Sequence, residues 1–328
     1  MSRASRARAV AQAAAVGGAG LVGVGGAFYG LLLGQSKWAR RRIGVPTERP
    51  PDPPTSFGGT VAPIRLALFG DSAAAGFGVS TPDETTGALL AAGLSQAMRQ
   101  AVELRCFAVV GAQSGDLGAQ VEDSTEFAPQ LAVIMVGAND VTHRVTPGRS
   151  VALLTAAVTA LRELEAEVVV GTCPDLGTVR PIPHPLKWVA RRWSRSLAAA
   201  QTVAVVEAGG RTVALADLLG AEFDAHPDQM FGPDQFHPSA AGYRALAAAV
   251  VPSLVAALTE PAPGDVPPPS VPIDQAAAAA AEVGGTEVVA ATSQPALSRW
   301  GRKTLRVVLR QREDEAEGQP SVDADHSA

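Results

Sequence analysis

Residues 64–72 read Ile64-Arg65-Leu66-Ala67-Leu68-Phe69-Gly70-Asp71-Ser72. Ile64 to Phe69 is a short, mostly apolar run of strand length, and Gly70 ends it before a polar turn. The same pattern recurs outward. Thr85 to Gln100 is helical in period, Val102 to Val110 is strand-like, and Leu131 to Val136 is an unbroken apolar run. Val151 to Glu165 reads as a helix, Val168 to Gly171 as a strand and Trp188 to Ala208 as a further helix. A brief strand at Thr212 to Leu215 and a last helix at Ala240 to Leu258 complete the series. Short apolar strands alternating with helices predict a parallel sheet covered on both faces. In such sheets reactive groups gather at the carboxyl ends of the strands.

The flanks of this domain, 64–258, differ from it. Arg3, Arg6 and Arg8 precede an apolar run from Ala9 to Gly34, and Lys37, Arg40, Arg41 and Arg42 follow it. The run is long enough to cross a bilayer, and no short apolar region with a clear cleavage site is present. Residues 1–45 are therefore expected to form an uncleaved membrane anchor helix, with a signal segment as the alternative, without fixing which side the domain faces. Gly18, Gly20 and Gly23 spell the dinucleotide fingerprint, but no strand precedes them, so they read as packing glycines in that helix. Gly26 and Gly30 form a weak close-packing pair. Residues 46–63, with six prolines, read as a stiff linker. Residues 259–328 are Pro-rich, then Ala-rich, then acidic, and read as a disordered tail. Within it, 300–312 is a basic segment that reads either as a membrane-surface helix or as a solvated stretch.

Composition narrows the class. The chain has 328 residues, is 47% hydrophobic and carries a net charge of −5, so nothing global suggests nucleic-acid binding. Abundant Ala, Gly and Arg with few lysines match a GC-rich bacterial coding bias. Cys106 and Cys173 are the only cysteines; two cannot make a zinc site alone, and each reads as a small buried thiol.

Three segments carry chemistry. Phe69-Gly70-Asp71-Ser72 puts a hydroxyl on a turn leaving a strand, where a base could activate it. Gly137-Ala138-Asn139-Asp140 follows another strand and holds the only asparagine of the chain, a side-chain amide able to donate to a developing oxyanion. Asp234-Gln235-Phe236-His237-Pro238 sets an acid three residues before a histidine, the spacing at which it can orient the imidazole. His143, His184, His226 and His326 lack that arrangement, and no His partner lies at metal-ligand spacing.

In this order the three segments resemble the SGNH/GDSL hydrolase family, over about residues 64 to 258. The resemblance implies a flavodoxin-like three-layer α/β/α sandwich and hydrolysis of esters or thioesters with no metal or organic cofactor. It implies Ser72 as nucleophile, His237 as general base and Asp234 as its orienting acid. It further implies oxyanion donation by the Ser72 amide, the Asn139 side chain and a backbone glycine after the second strand. Gly111 fits that glycine best because it ends the strand, with Gly115 as the alternative; the asparagine the family often places just before this glycine is missing. A flavodoxin-like order also sets two strands between Cys106 and Cys173, too far for a disulfide.

The expected substrate is a lipid or short-chain acyl ester at a membrane of the bacterial cell envelope. Alternatives are an O-acetyl esterase on envelope glycans and an inactive membrane-associated scaffold. The segment from Asp175 to Trp193 is expected on the rim of the site. Oligomeric state is not readable.

Overall fold

A computed structural model describes residues 27–44, 49–59, 62–259 and the backbone of 287–289. The apolar run up to residue 26, with its glycine fingerprint, and the basic segment 300–312 lie outside the described residues.

Residues 27–43 form helix α1. The strands are β1 (Ser56–Phe57), β2 (Ile64–Gly70), β3 (Val102–Cys106), β4 (Leu131–Met135), β5 (Glu167–Gly171), β6 (Arg211–Val213) and β7 (Glu287–Val289). Between them lie α2 (Thr86–Met98), α3 (Leu117–Asp123), α4 (Ala138–His143), α5 (Pro147–Glu163), α6 (Leu186–Glu207), α7 (Leu215–Ala225), α8 (Pro227–Met230) and α9 (Ala240–Thr259).

All seven strands join one sheet in the order β1-β3-β2-β4-β5-β6-β7. The five from β3 to β6 run parallel. Counted by themselves they follow the flavodoxin-like order 2-1-3-4-5, whose switch point lies between β2 and β4. Both edges are antiparallel, which the sequence reading did not include: β1 pairs with β3 from within the expected linker, and β7 pairs with β6.

The pleat of β2 shows how the layers form. Leu66 and Leu68 point to one face, where they pack with Leu90 and Leu94 of α2 and Leu246 and Val250 of α9. Ala67 and Phe69 point to the other, against Leu117 of α3 and Leu154, Val158 and Leu161 of α5. Both faces of the central strands are therefore covered, and their near-continuous apolar sequence follows.

Two element readings change. The strand expected over Val102 to Val110 ends at Cys106; the Phe107 and Val109 amides still donate to Leu68 and Gly70 carbonyls, but the chain then turns outward. Leu215 was expected to end a strand and instead starts α7. The sheet needs only three residues there, and Leu215 packs into the core from the helix.

Among the described residues, α9 is the one helix long and apolar enough to cross a membrane. It is a core helix: Tyr243, Val250 and Leu254 are fully buried. Cys106 and Cys173 are free thiols, with β2 and β4 between their strands.

Candidate active site

The strands β2 and β4 deliver their carboxyl ends to the switch point. Gly70 closes β2 with φ +125°, and a Cβ there would lie 1.8 Å from the Met135 carbonyl oxygen of β4. Only glycine fits so close to the neighbouring strand. The chain then turns, with the Asp71 Oδ1 accepting from the Ala73 amide at 3.0 Å, and presents Ser72.

Ser72, His237 and Asp234 meet. The Ser72 Oγ lies 2.9 Å from His237 Nε2, although 165 residues separate them in the chain. On the far side of the ring, His237 Nδ1 lies 2.5 Å from Asp234 Oδ2. Asp234 Oδ1 also accepts from the Phe236 and His237 amides at 3.0 Å each, so the acid organises the loop that carries its own histidine. With the proton on Nδ1, facing the carboxylate, Nε2 is left to accept from the hydroxyl. The imidazole is packed between rings, 4.5 Å from Phe77 and 4.9 Å from Phe236, and its residue is 5% exposed.

The carboxylates near this ring titrate differently. Burial works to raise the Asp234 carboxyl, but the hydrogen bond from the His237 ring and the loop amides outweigh it and hold the group below its ordinary value. Asp71 is fully buried, and desolvation pushes it up to about 6 against the Ala73 amide and the nearby His237.

Asn139, at the start of α4, lines the same cleft as Ser72 and His237. One hydrogen of its Nδ2 goes to the Ala112 carbonyl at 3.0 Å, which leaves the second available. That contact ties Asn139 to the loop holding both candidate glycines. Gly111 occupies the exposed corner of a turn closed by the Ala112 amide on the Val109 carbonyl, with φ +87°, and this geometry alone calls for glycine. Gly115 lies in the short 3₁₀ helix Ser114–Asp116. That helix is held by the fully buried Asp140, whose Oδ1 accepts from the Ser114 amide at 3.1 Å and whose Oδ2 accepts from the Ser114 and Ser150 hydroxyls at 2.6 and 3.0 Å.

The cleft itself opens where the sheet stops. The β4–β5 ladder ends at Met135 opposite Gly171. Just beyond, Gln201 of α6 stands between the strands: its Nε2 donates to the Val136 carbonyl at 3.1 Å and its Oε1 accepts from the Cys173 amide at 2.7 Å. The strand ends are thus kept apart with every group satisfied. Beside Ser72 the walls are mainly apolar, including Met135, Leu215, Leu219, Phe223, Phe231 and Phe236.

Of the expected rim, Asp175, Leu176, Thr178 and Val179 line the cleft. Asp175 fixes this stretch, accepting from the Gly177 amide at 2.7 Å and from Arg195 Nε at 3.0 Å. His143, His184 and His226 are exposed and take no part. Gln120 and Gln201 were not singled out from the sequence, and Asp71 and Asp140 stood in its motifs without a role. The two glutamines left a signal there: each falls on the apolar stripe of its helix, Gln120 between Leu117 and Val121 and Gln201 between Leu197 and Val205.

Comparison with known proteins adds kinship. The model of the GDSL-like Lipase/Acylhydrolase family matches residues 68–245. GDSL-like esterase Rv1075c of Mycobacterium tuberculosis (strain ATCC 25618 / H37Rv) is 40% identical over 256 residues, which cover 73% of this chain and 82% of that protein. Among solved structures, TesA superposes with a TM-score of 0.47 at 22% identity, covering 59% of this chain and 99% of its own. Axe2, an acetylxylan esterase from Geobacillus stearothermophilus, gives a TM-score of 0.45 at 21% identity, covering 58% and 93%.

Proposed function

Since this chain belongs to the GDSL-like lipase/acylhydrolase family and is a carboxylic ester hydrolase, we propose that it works through an acyl-enzyme on Ser72 and takes lipid or short-chain acyl esters. The Ser72 hydroxyl attacks the ester carbonyl while His237 Nε2 takes its proton. Asp234 holds the imidazole in the required tautomer and stabilises the imidazolium that forms. The tetrahedral oxyanion is met by the Ser72 amide, the free hydrogen of Asn139 Nδ2 and one amide of the 111–115 loop, Gly111 or Gly115. His237 then protonates the leaving alcohol, and water releases the acid by the same steps in reverse roles.

The observation that carries this reading is the unbroken contact from Asp234 through His237 to Ser72, at 2.5 and 2.9 Å, beside a largely apolar cleft. Such walls favour the acyl part of a lipid ester over a hydrated glycan. A fluorophosphonate probe should label the wild-type chain and fail to label Ser72→Ala, and the same variant should lose turnover of p-nitrophenyl butyrate. Labelling that survives the substitution would move the nucleophile elsewhere; a folded wild-type chain that neither labels nor turns over esters would indicate a scaffold.

The chain is further proposed to be held at a membrane of the cell envelope by its N-terminal segment. Support comes from α1, which carries Phe28, Tyr29, Leu31 and Trp38 on its exposed surface and continues directly from the apolar run. The full chain should sediment with membranes and a chain starting at residue 46 should not. Equal sedimentation of both would remove the anchor.

A further inference from the structure

A second apolar cavity, of about 180 Å³, lies between α1 and the body of the domain. From α1 it takes Leu32, Leu33 and Ala39, which helical spacing places on one face. Leu186, Ala190 and Trp193 of α6 face them. Gln35 fastens the helix over this space: its Nε2 donates to the His184 carbonyl at 2.6 Å and its Oε1 accepts from the Leu186 amide at 3.1 Å. Arg40 donates to the Thr142 carbonyl. The helix is therefore tied down at two points without filling the room beneath it.

This cavity adjoins the catalytic cleft. Phe236 and Leu176 line both, so a single layer of side chains divides them. Phe236 precedes His237, is only half-buried and lines both spaces, and its ring meets that of His237 edge-on at 4.9 Å. Of the two dividing side chains, Leu176 is buried and Phe236 is the partly exposed one, freer to change rotamer. Of the polar groups on the far side, which include Tyr29, Ser36 and Arg144, Thr142 and Arg40 are already engaged, Thr142 Oγ1 donating to the Asn139 carbonyl at 3.1 Å. What remains is a largely hydrocarbon wall, poor in partners for water or a sugar.

We propose that Phe236 is the divider that sets the acyl-chain length the cleft accepts, and that the cavity under α1 takes the distal part of a long chain when that ring swings aside. The proposal rests on the esterase reading. In it, α1 is part of the substrate site as well as a tether. Each methylene moved from water onto such walls strengthens binding about fourfold, so a few methylenes are enough to read.

The test uses the full chain and the ratio of kcat/KM for p-nitrophenyl laurate to that for the butyrate. A ratio taken on one preparation cancels any loss of folded protein and any general effect on the neighbouring His237. Phe236→Ala should raise the ratio by about tenfold or more, Phe236→Trp should lower it, and adding Ala39→Trp to Phe236→Ala should return it to the wild-type value. A ratio unmoved by Phe236→Ala, or a rise that survives Ala39→Trp, overturns the proposal. If no form hydrolyses either ester, the esterase reading fails by itself, and cis-parinaric acid fluorescence decides the divider. In the Ser72→Ala chain, Phe236→Ala should then tighten parinaric acid binding about tenfold and Ala39→Trp should reverse it; equal affinities in all three would sink it.

Discussion

Gln120 holds both backbone hydrogen-bonding groups of Gly70: the Gly70 amide donates to its Oε1 at 2.8 Å, and its Nε2 donates to the Gly70 carbonyl at 3.0 Å. The carbonyl has a second donor in the Val109 amide, whereas among the described residues the Gly70 amide has no other acceptor. Gln120→Leu therefore leaves a buried donor unpaired two residues before Ser72. The expected loss of stability is about 1–3 kcal/mol, read from the urea midpoint, together with a lower kcat. An unchanged midpoint would mean that the neighbouring strands hold the turn without it.

Asn139→Ala should lower kcat for a small aryl ester by about 10² to 10³, with a smaller change in KM, because the lost donor acts on charge that develops after binding. Turnover within a few-fold of wild type would remove Asn139 from the oxyanion site.

Asp140→Ala should act through the loop it fastens. Without the carboxylate, the Ser114 amide loses its acceptor and the 111–116 loop loses its tie to α4 and α5. Turnover is expected to fall at least about tenfold, with Ser114→Ala intermediate because its amide bond to Asp140 survives. Equal activity of all three proteins would show that the loop is set by other contacts.

Asp71 makes stability depend on pH with a definite sign. Its folded-state value, pushed up to about 6, stands above the unfolded value of 3.8, so between the two the folded state holds more proton. Its contribution to stability therefore declines as pH rises through that window and levels off above it, a cost of about 3 kcal/mol. Asp71→Asn should raise Tm over wild type by more at about pH 8 than at about pH 4. The same gain at both would place the titration of this carboxyl elsewhere.

Much of this was legible in the chain because local pattern and local chemistry agreed. The run ending at Gly70, the segment at Asn139 and the acid three residues before His237 each carry their meaning within a few residues. The edges were not legible. Strand β1 is two residues long inside a Pro-rich stretch, and β7 pairs from far along the sequence, so neither leaves a periodicity to read. Leu215 was misjudged because a fully buried residue looks alike in a strand and at a helix start. The glycine of the 111–115 loop stayed open for another reason: a free amide hydrogen is a property of backbone shape, and no side chain advertises it.

The wedge formed by Gln201 bears on how such a pocket can change. A parallel sheet zipped to its tips would leave no hollow beneath the nucleophile. Here one side-chain amide substitutes for the missing rung, so the parting of the two strand ends follows from how far residue 201 reaches. A shorter side chain at that single place would release the Val136 carbonyl and the Cys173 amide, while Ser72 and His237 are mounted on other segments.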